Sequence, residues 1–313
     1  MIRAALITEL GAGAICGEIS EDPTGDGEST VTMEAATLNP VDLAIAGGSF
    51  HAGHPQLPYV PGIEAVGSVE GRRVYVSGAG LGITRNGLIR DSFAADDKIF
   101  IDIPEEADAA TAAALGTAGL AGWLPISWRA KVQRGETVLV LGATGFAGNI
   151  AVQAAKHLGA GRVVAAGRNH DRLTALDGVA DAVVPLDTPD LGAAFVAACG
   201  EEGAHVIYDC LWGTPLEAAL QAAAVGARVV QVGASAGQTG VIPSAAVRGK
   251  RLDLLGYSNF GVPRETLASA YLEIVTLAIE GELRVHIERV PLEQVADAWS
   301  GLGRGGTKYV VIP

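Results

Sequence analysis

The sequence predicts an α/β protein: a doubly wound parallel sheet in the second half of the chain, preceded by an antiparallel, barrel-like β unit. Three observations carry that reading. The first hundred residues are rich in Gly, Pro, Thr and Val in short alternating runs, as antiparallel strands joined by tight turns require. From about Pro104 the texture changes, and short β-rich runs alternate with helical stretches, the pattern of a parallel sheet with helices on both faces. Between Thr137 and Asn169, "TVLVLGATGFAGNIAVQAAKHLGAGRVVAAGRN" compresses strand, small-residue turn, helix and second strand into one short stretch.

Taken in order, "MIRAALITELGAG" reads as a first strand; it carries Arg3 and lacks a long apolar core followed by a cleavage site. "STVTMEAATLN" and "EAVGSVEGRRVYVSG" read as strands of the barrel-like unit, and the proline-rich "HPQLPYVPG" between them as an ordered loop. "PEEADAATAAALGTAGLAGW" predicts a helix opening at Pro104 with acidic residues in its first turn. Residues 109–128 contain no charge, long enough to raise the question of a membrane span; their Ala, Gly and Thr content, with Pro125 inside and no basic flanks, predicts a buried core helix instead. Thr137–Leu141, residues 162–166, Ala182–Pro185, residues 205–209 and residues 228–232 are the expected parallel strands, with helices over residues 149–158 and 215–224. The last thirty residues predict a strand, a short helix and a final strand, "KYVVIP", which needs a sheet to join.

Composition narrows the function. A formal charge of −13 disfavours nucleic acid and anionic membrane surfaces as partners. Cys16, Cys199 and Cys210 are three, far apart and without a C-x-x-C, so neither a disulfide framework nor a structural zinc site is indicated; a cytoplasmic setting is the expectation.

The turn after Leu141 carries the chemistry. Read against G-x-G-x-x-G, its three small positions are Ala143, Gly145 and Gly148, with Ala in the first place. Ile150, Ala154 and Leu158 then recur at helical spacing, and Gly159 stands where a helix stops. A helix beginning near Phe146 points N–H groups and its positive dipole end at the turn, an anion site suited to a pyrophosphate. Ala143, Thr144, Gly145, Phe146 and Ala147 are thus candidate cofactor-binding residues. At the end of the second strand, where a carboxylate would hold an adenosine ribose, the chain reads Ala166, Gly167, Arg168, Asn169, with Arg172 following and no acid before Asp171. Guanidinium groups there favour a 2′-phosphate, hence NADPH over NADH; the plainer reading of Arg168 and Arg172 is solvated loop charge. A second glycine cluster, "VVQVGASAG", would bring Gly233, Ala234 and Ser235 to the same edge of the sheet near a nicotinamide, or form an ordinary turn. None of the six tyrosines has a lysine four residues on, which removes a short-chain dehydrogenase.

In their shared order, "LNPVDLAIAGG", "LPYVPGIEAVGSV", "AAALGTAGLAGW", "VLVLGATGFAGNIAVQAAK", "VIYDCLWG", "ARVVQVGASAG" and the closing "GGTKYVVIP" resemble the medium-chain dehydrogenase/reductase superfamily, and within it the zinc-free quinone oxidoreductase branch. The resemblance implies a GroES-like β-barrel domain built from both chain ends (residues 1–115 and 261–313), a Rossmann NADP-binding domain (residues 116–260) and a homodimer. It also implies Asn39 as the catalytic residue beside the nicotinamide, although Asn39 is equally suited to bracing the turn before Pro40; Asp42 reads as structural. Zinc-dependent relatives place metal ligands where this chain has Asn39 and Ile63, so no metal is expected; His51 and His54, in "HAGH", read as loop histidines. Departures from the family pattern fall at Ala44, Ala121 and Leu186. The function implied is NADPH-dependent reduction of quinones or α,β-unsaturated carbonyl compounds by direct hydride transfer without zinc. An enoyl-thioester reductase and a non-catalytic NADP(H)-binding sensor or structural protein are the alternatives.

Overall fold

Thr137–Leu141 is apolar after its first residue and buried throughout, as only a strand covered on both faces can be. It lies in the middle of a six-stranded parallel sheet, between Arg162–Gly167 on one side and Ala204–Asp209 on the other. Outward from these, Ala182–Pro185 extends the first side, and Ala223–Gln231 followed by Asp253–Gly256 extend the second. Numbered from Thr137–Leu141, the spatial order is 3-2-1-4-5-6, the Rossmann arrangement, and it reverses between Thr137–Leu141 and Ala204–Asp209. The computed structural model describes residues 1–176, 178–302 and 306–313. Gly305, which opens the closing segment of the sequence motif, lies outside the described residues.

Contacts divide the chain into two units, Met1–Ala118 with Tyr271–Pro313, and Gly119–Ala270. The first unit is built on a seven-stranded, mainly antiparallel sheet around Glu28–Thr37, Glu64–Val69 and Arg72–Ser77. Glu70 and Gly71 both take positive φ, which turns Glu64–Val69 back into Arg72–Ser77 as a two-residue hairpin whose twist matches its strands. The final strand, Lys308–Ile312, pairs with Ile287–Pro291 and with Glu28–Thr37, so the chain's end completes the sheet begun near its start. One apolar core, including Val31, Met33, Leu88, Phe93, Leu292 and Val311, lies under these strands.

Several expectations shift. The helix expected from Pro104 starts at Ala109, because Asp108 supplies its N-cap and accepts the Thr111 N–H at 2.8 Å. The helical run Ala109–Arg129 has an 18-residue window that is 72% buried, the condition of a core helix. Its ladder is interrupted at Gly116, whose ψ of −115° is not helical. The helix expected over residues 215–224 is the shorter Thr214–Ala219 followed by one tight turn, and the next strand begins early, at Ala223. Local propensity was a poor guide there, since an Ala-rich stretch forms strand when a sheet neighbour is available.

Candidate functional site: a phosphate corner and a buried polar cluster

The turn after Leu141 departs from the expected register. Gly142 takes φ +83°, a conformation closed to most L-residues, while Ala143 is fully buried and gives its N–H to Ala166 at 2.8 Å. A Cβ on Gly142 would lie 2.4 Å from Cys210 Sγ, and one on Gly148 would lie 2.2 Å from the Gly142 carbonyl oxygen. The small positions are therefore Gly142, Gly145 and Gly148, not a set opening at Ala143. The helix Phe146–His157 starts at Gly145, which supplies no side-chain cap, and its positive end faces the turn.

The neighbouring strand end completes this corner. Gly167 lies against Thr144: a Cβ there would come 2.4 Å from Thr144 Cγ2. Arg168 follows at the surface, and among the described residues no partner holds its guanidinium. Arg172 reaches back to the Thr144 carbonyl at 3.3 Å. Asn169 is occupied as the N-cap of the short helix His170–Thr174, its side-chain oxygen accepting the Arg172 N–H at 2.9 Å. Glycine closeness, a helix start without a cap from Gly145 and a guanidinium without a partner among the described residues, just past the end of the adjacent strand, fit a dinucleotide phosphate group.

Gly233, Ala234 and Ser235 stand at the same, carboxyl edge of the sheet. Their loop is laced to the one after Asp209: Ser235 Oγ donates to the Cys210 carbonyl at 3.1 Å, and the Val232 N–H to the Asp209 carbonyl at 2.7 Å. A cavity of about 440 Å3, lined in part by Trp212, Gln231, Ala234 and Gln238, opens beside them. Asp209, missed as a site residue, organises this edge. Fully buried, it accepts the Leu211 and Trp212 N–H groups through Oδ1, while Oδ2 has no partner among the described residues. Burial pushes its carboxyl up from the ordinary range, against those two backbone hydrogen bonds.

In the first unit, Asn39 sits inside a closed polar cluster. It is 2% exposed, its Nδ2 donates to Glu64 at 2.8 Å and to Thr37 at 3.2 Å, and its Oδ1 accepts from Lys308 Nζ at 2.6 Å. Its backbone N–H donates to Asp42 at 2.7 Å, making a capping box on the helix Pro40–Ala46. Glu64 is the hub: besides Asn39 it accepts from Thr37, from Tyr75 at 2.8 Å and from the Thr117 N–H beside the break at Gly116. Tyr75 stacks on Tyr271 with ring centres 4.2 Å apart. Burial lowers the Lys308 ammonium from its ordinary range, opposed by Glu64 and Asp42, and pushes the Asp42 carboxyl up to about 7. In the sequence Glu64 reads only as a lone acid in an apolar strand, and Lys308 only as part of the closing motif, with no sign that it is buried.

Two family models match this chain: the alcohol dehydrogenase GroES-like domain over residues 25–84, and a family described as zinc-binding dehydrogenase over residues 147–275. The chain belongs to the medium-chain dehydrogenase/reductase superfamily, quinone oxidoreductase-like. Among its relatives in that superfamily, quinone oxidoreductase-like protein 2 of Bos taurus is 29% identical over 317 residues, covering 95% of this chain and 88% of the relative. Human quinone oxidoreductase is 27% identical over 330 residues, covering 100% of this chain and 98% of its own length. Among solved structures, the quinone oxidoreductase from Thermus thermophilus, also solved in complex with NADPH, superposes with a TM-score of 0.80 at 27% identity, over 99% of this chain and 100% of its own. An NAD-dependent alcohol dehydrogenase gives a TM-score of 0.88 at 25% identity, over 99% of both chains.

This superfamily member does not offer a zinc dehydrogenase's donor set at the positions where the sequence resemblance puts it. Ile63 is a buried hydrocarbon, and Asn39 Oδ1 already faces the Lys308 ammonium, a charge that a dication would have to meet. Of the two loop histidines, His54 Nδ1 lies 2.7 Å from the Pro55 carbonyl and His51 packs its ring against Phe50. Among the described residues no group of three or more His, Cys, Asp or Glu could hold a metal ion.

Proposed function

We propose that this oxidoreductase uses NADPH to reduce quinones or α,β-unsaturated carbonyl compounds, without zinc, as a cytoplasmic homodimer. The observation that carries the cofactor choice is Arg168: an exposed guanidinium without a partner among the described residues, at the end of the strand next to the glycine turn and with no acid before Asp171. Bound NADPH would supply the hydride. The residues' own part is to hold and orient it. Gly142 and Gly148 let backbone approach backbone, leaving room for a pyrophosphate at the uncapped start of Phe146–His157. Arg168, with Arg172 and Thr144 beside it, would take the 2′-phosphate, since guanidinium and phosphate pair bidentately. Asp209 fixes the loop that carries Trp212, and Gly233 to Ser235 close the far end of the same edge. The names of the relatives support the substrate class, and a ketone or quinone oxygen can be stabilised by hydrogen bonds or water in place of a Lewis acid.

The alternative is a non-catalytic NADP(H)-binding protein. It is favoured by Asn39, whose side chain is fully engaged with Thr37, Glu64 and Lys308 and has no polar atom left for a substrate in this arrangement. The experiment that separates the two is a turnover assay with NADPH against a panel of quinones and enones, with and without a chelator. Consumption of NADPH that survives the chelator supports the reductase. Calorimetric binding of NADPH with no turnover on any acceptor gives the alternative, and stoichiometric zinc in the purified protein overturns the metal-free reading. Light scattering measures the assembly: a monomer mass excludes the homodimer.

A further inference from the structure

At the opposite, amino-terminal edge of the parallel sheet lies a second cavity, of about 510 Å3, whose walls include Trp128, Arg129, Lys131, Gln133, Arg228 and Asp253. It shares Leu255, on the edge strand Asp253–Gly256, with the cavity beside Ala234, and none of its wall residues belongs to the Gly142 turn. Three cations meet there on a chain whose net charge is −13, which makes the spot an electrostatic exception.

The cations are not equivalent. Arg228 is spent on structure: its guanidinium pairs with Glu136 and donates to the carbonyls of Ala130 and Lys131. That clamp, with Gln133 Nε2 donating to the Lys131 carbonyl at 2.6 Å and the Gln133 N–H donating to Glu136 at 2.8 Å, fixes the loop from which Lys131 projects. Arg129 uses Nε alone, on the Gly256 carbonyl at 3.0 Å. Among the described residues, the terminal nitrogens of Arg129 and the ammonium of Lys131 have no partner, and Asp253 forms no ion pair with either. The cavity thus presents an indole, a planar guanidinium with open donors and an open ammonium, all on backbone that is already braced. Indole and guanidinium both stack on flat rings, and the two cations take a carboxylate's oxygens.

We infer that this cavity is a binding site for a planar aromatic carboxylate, separate from the dinucleotide corner. The probe is 1-naphthoate, titrated calorimetrically into the full chain with and without excess NADPH, beside the neutral analogue 1-naphthalenemethanol. The site predicts saturable naphthoate binding that NADPH does not displace, with the neutral analogue about tenfold weaker or more, the loss of one charge-assisted pair. Lys131→Ala, at an exposed side chain, and Arg129→Lys, which keeps charge but not the planar fork, should each weaken naphthoate about fivefold to tenfold with circular dichroism and Tm unchanged. Arg168→Ala should leave it unaltered. Absent binding, equal affinity for the neutral analogue, displacement by NADPH, or indifference to both substitutions overturns the site.

Discussion

The corner around Gly142 and the cluster around Glu64 both gather charged and polar side chains, and they treat them in opposite ways. In the cluster every partner is supplied from within: Glu64 is surrounded by Asn39, Thr37, Tyr75 and the Thr117 N–H, with the Lys308 ammonium 3.7 Å away. At the corner the helix start is uncapped and Arg168 has no partner among the described residues. Closed networks hold a fold in register; open donors wait for a ligand. Polarity alone does not identify a functional site, and the distinction lies in which groups remain unsatisfied.

The largest effect should come from breaking the closed network. Lys308→Met removes the cation from a buried pair and should destabilise the protein by about 3–5 kcal/mol in denaturant unfolding, because Glu64 and Asn39 keep their polar atoms and lose the partner. A loss below about 1 kcal/mol would mean that the cluster is not closed as described. Next comes the open corner. Arg168→Ala should weaken NADPH by about 1.5–3 kcal/mol, roughly ten- to a hundredfold, and leave NADH and Tm nearly unchanged. Equal losses for both nucleotides would remove the phosphate role and erase the contrast between the two regions. The effect that is smallest per step, although spread over about three pH units, is a pH dependence at Asp42. Its folded carboxyl is pushed up to about 7 from an ordinary value of 3.8, so the folded state binds the extra proton between those values. Stability from this group is therefore greatest below about pH 4, falls as pH rises towards about 7, and levels off above it, on the order of 1 kcal/mol per pH unit. Asp42→Asn should flatten that limb of the stability curve; an unchanged slope would assign the dependence to other groups.

The two regions were also unequally readable in the sequence. The corner is local: strand, turn, helix and second strand follow one another, so periodicity and a glycine-rich turn reveal it, and Arg168 follows from counting to the end of the second strand. The register of the turn slipped by one residue because Ala143 and Gly142 are both small, whereas only a backbone at φ +83° separates them. The cluster is non-local. Lys308 and Asn39 are 269 residues apart, and a lysine near the chain's end carries no sign of burial in its neighbours. Helix ends were readable where a capping residue stands ready and misplaced where it does not: Asp108 accounts for a start at Ala109, while Ala223 became strand through pairing with Ala204.

By itself the sequence determined the alternation that makes a parallel sheet, the turn that can admit a phosphate and the basic residues that follow it. These rest on side-chain periodicity and on backbone freedom at single residues, both of which are properties of neighbours along the chain. Only the tertiary structure decided that Asn39 is enclosed, that Glu64 and Lys308 answer one another, and that, among the described residues, Asp209 keeps one oxygen without a partner while Lys131 and Arg129 keep nitrogen donors open beside Trp128. Burial and pairing depend on which distant segments meet, and that is settled by packing the whole core.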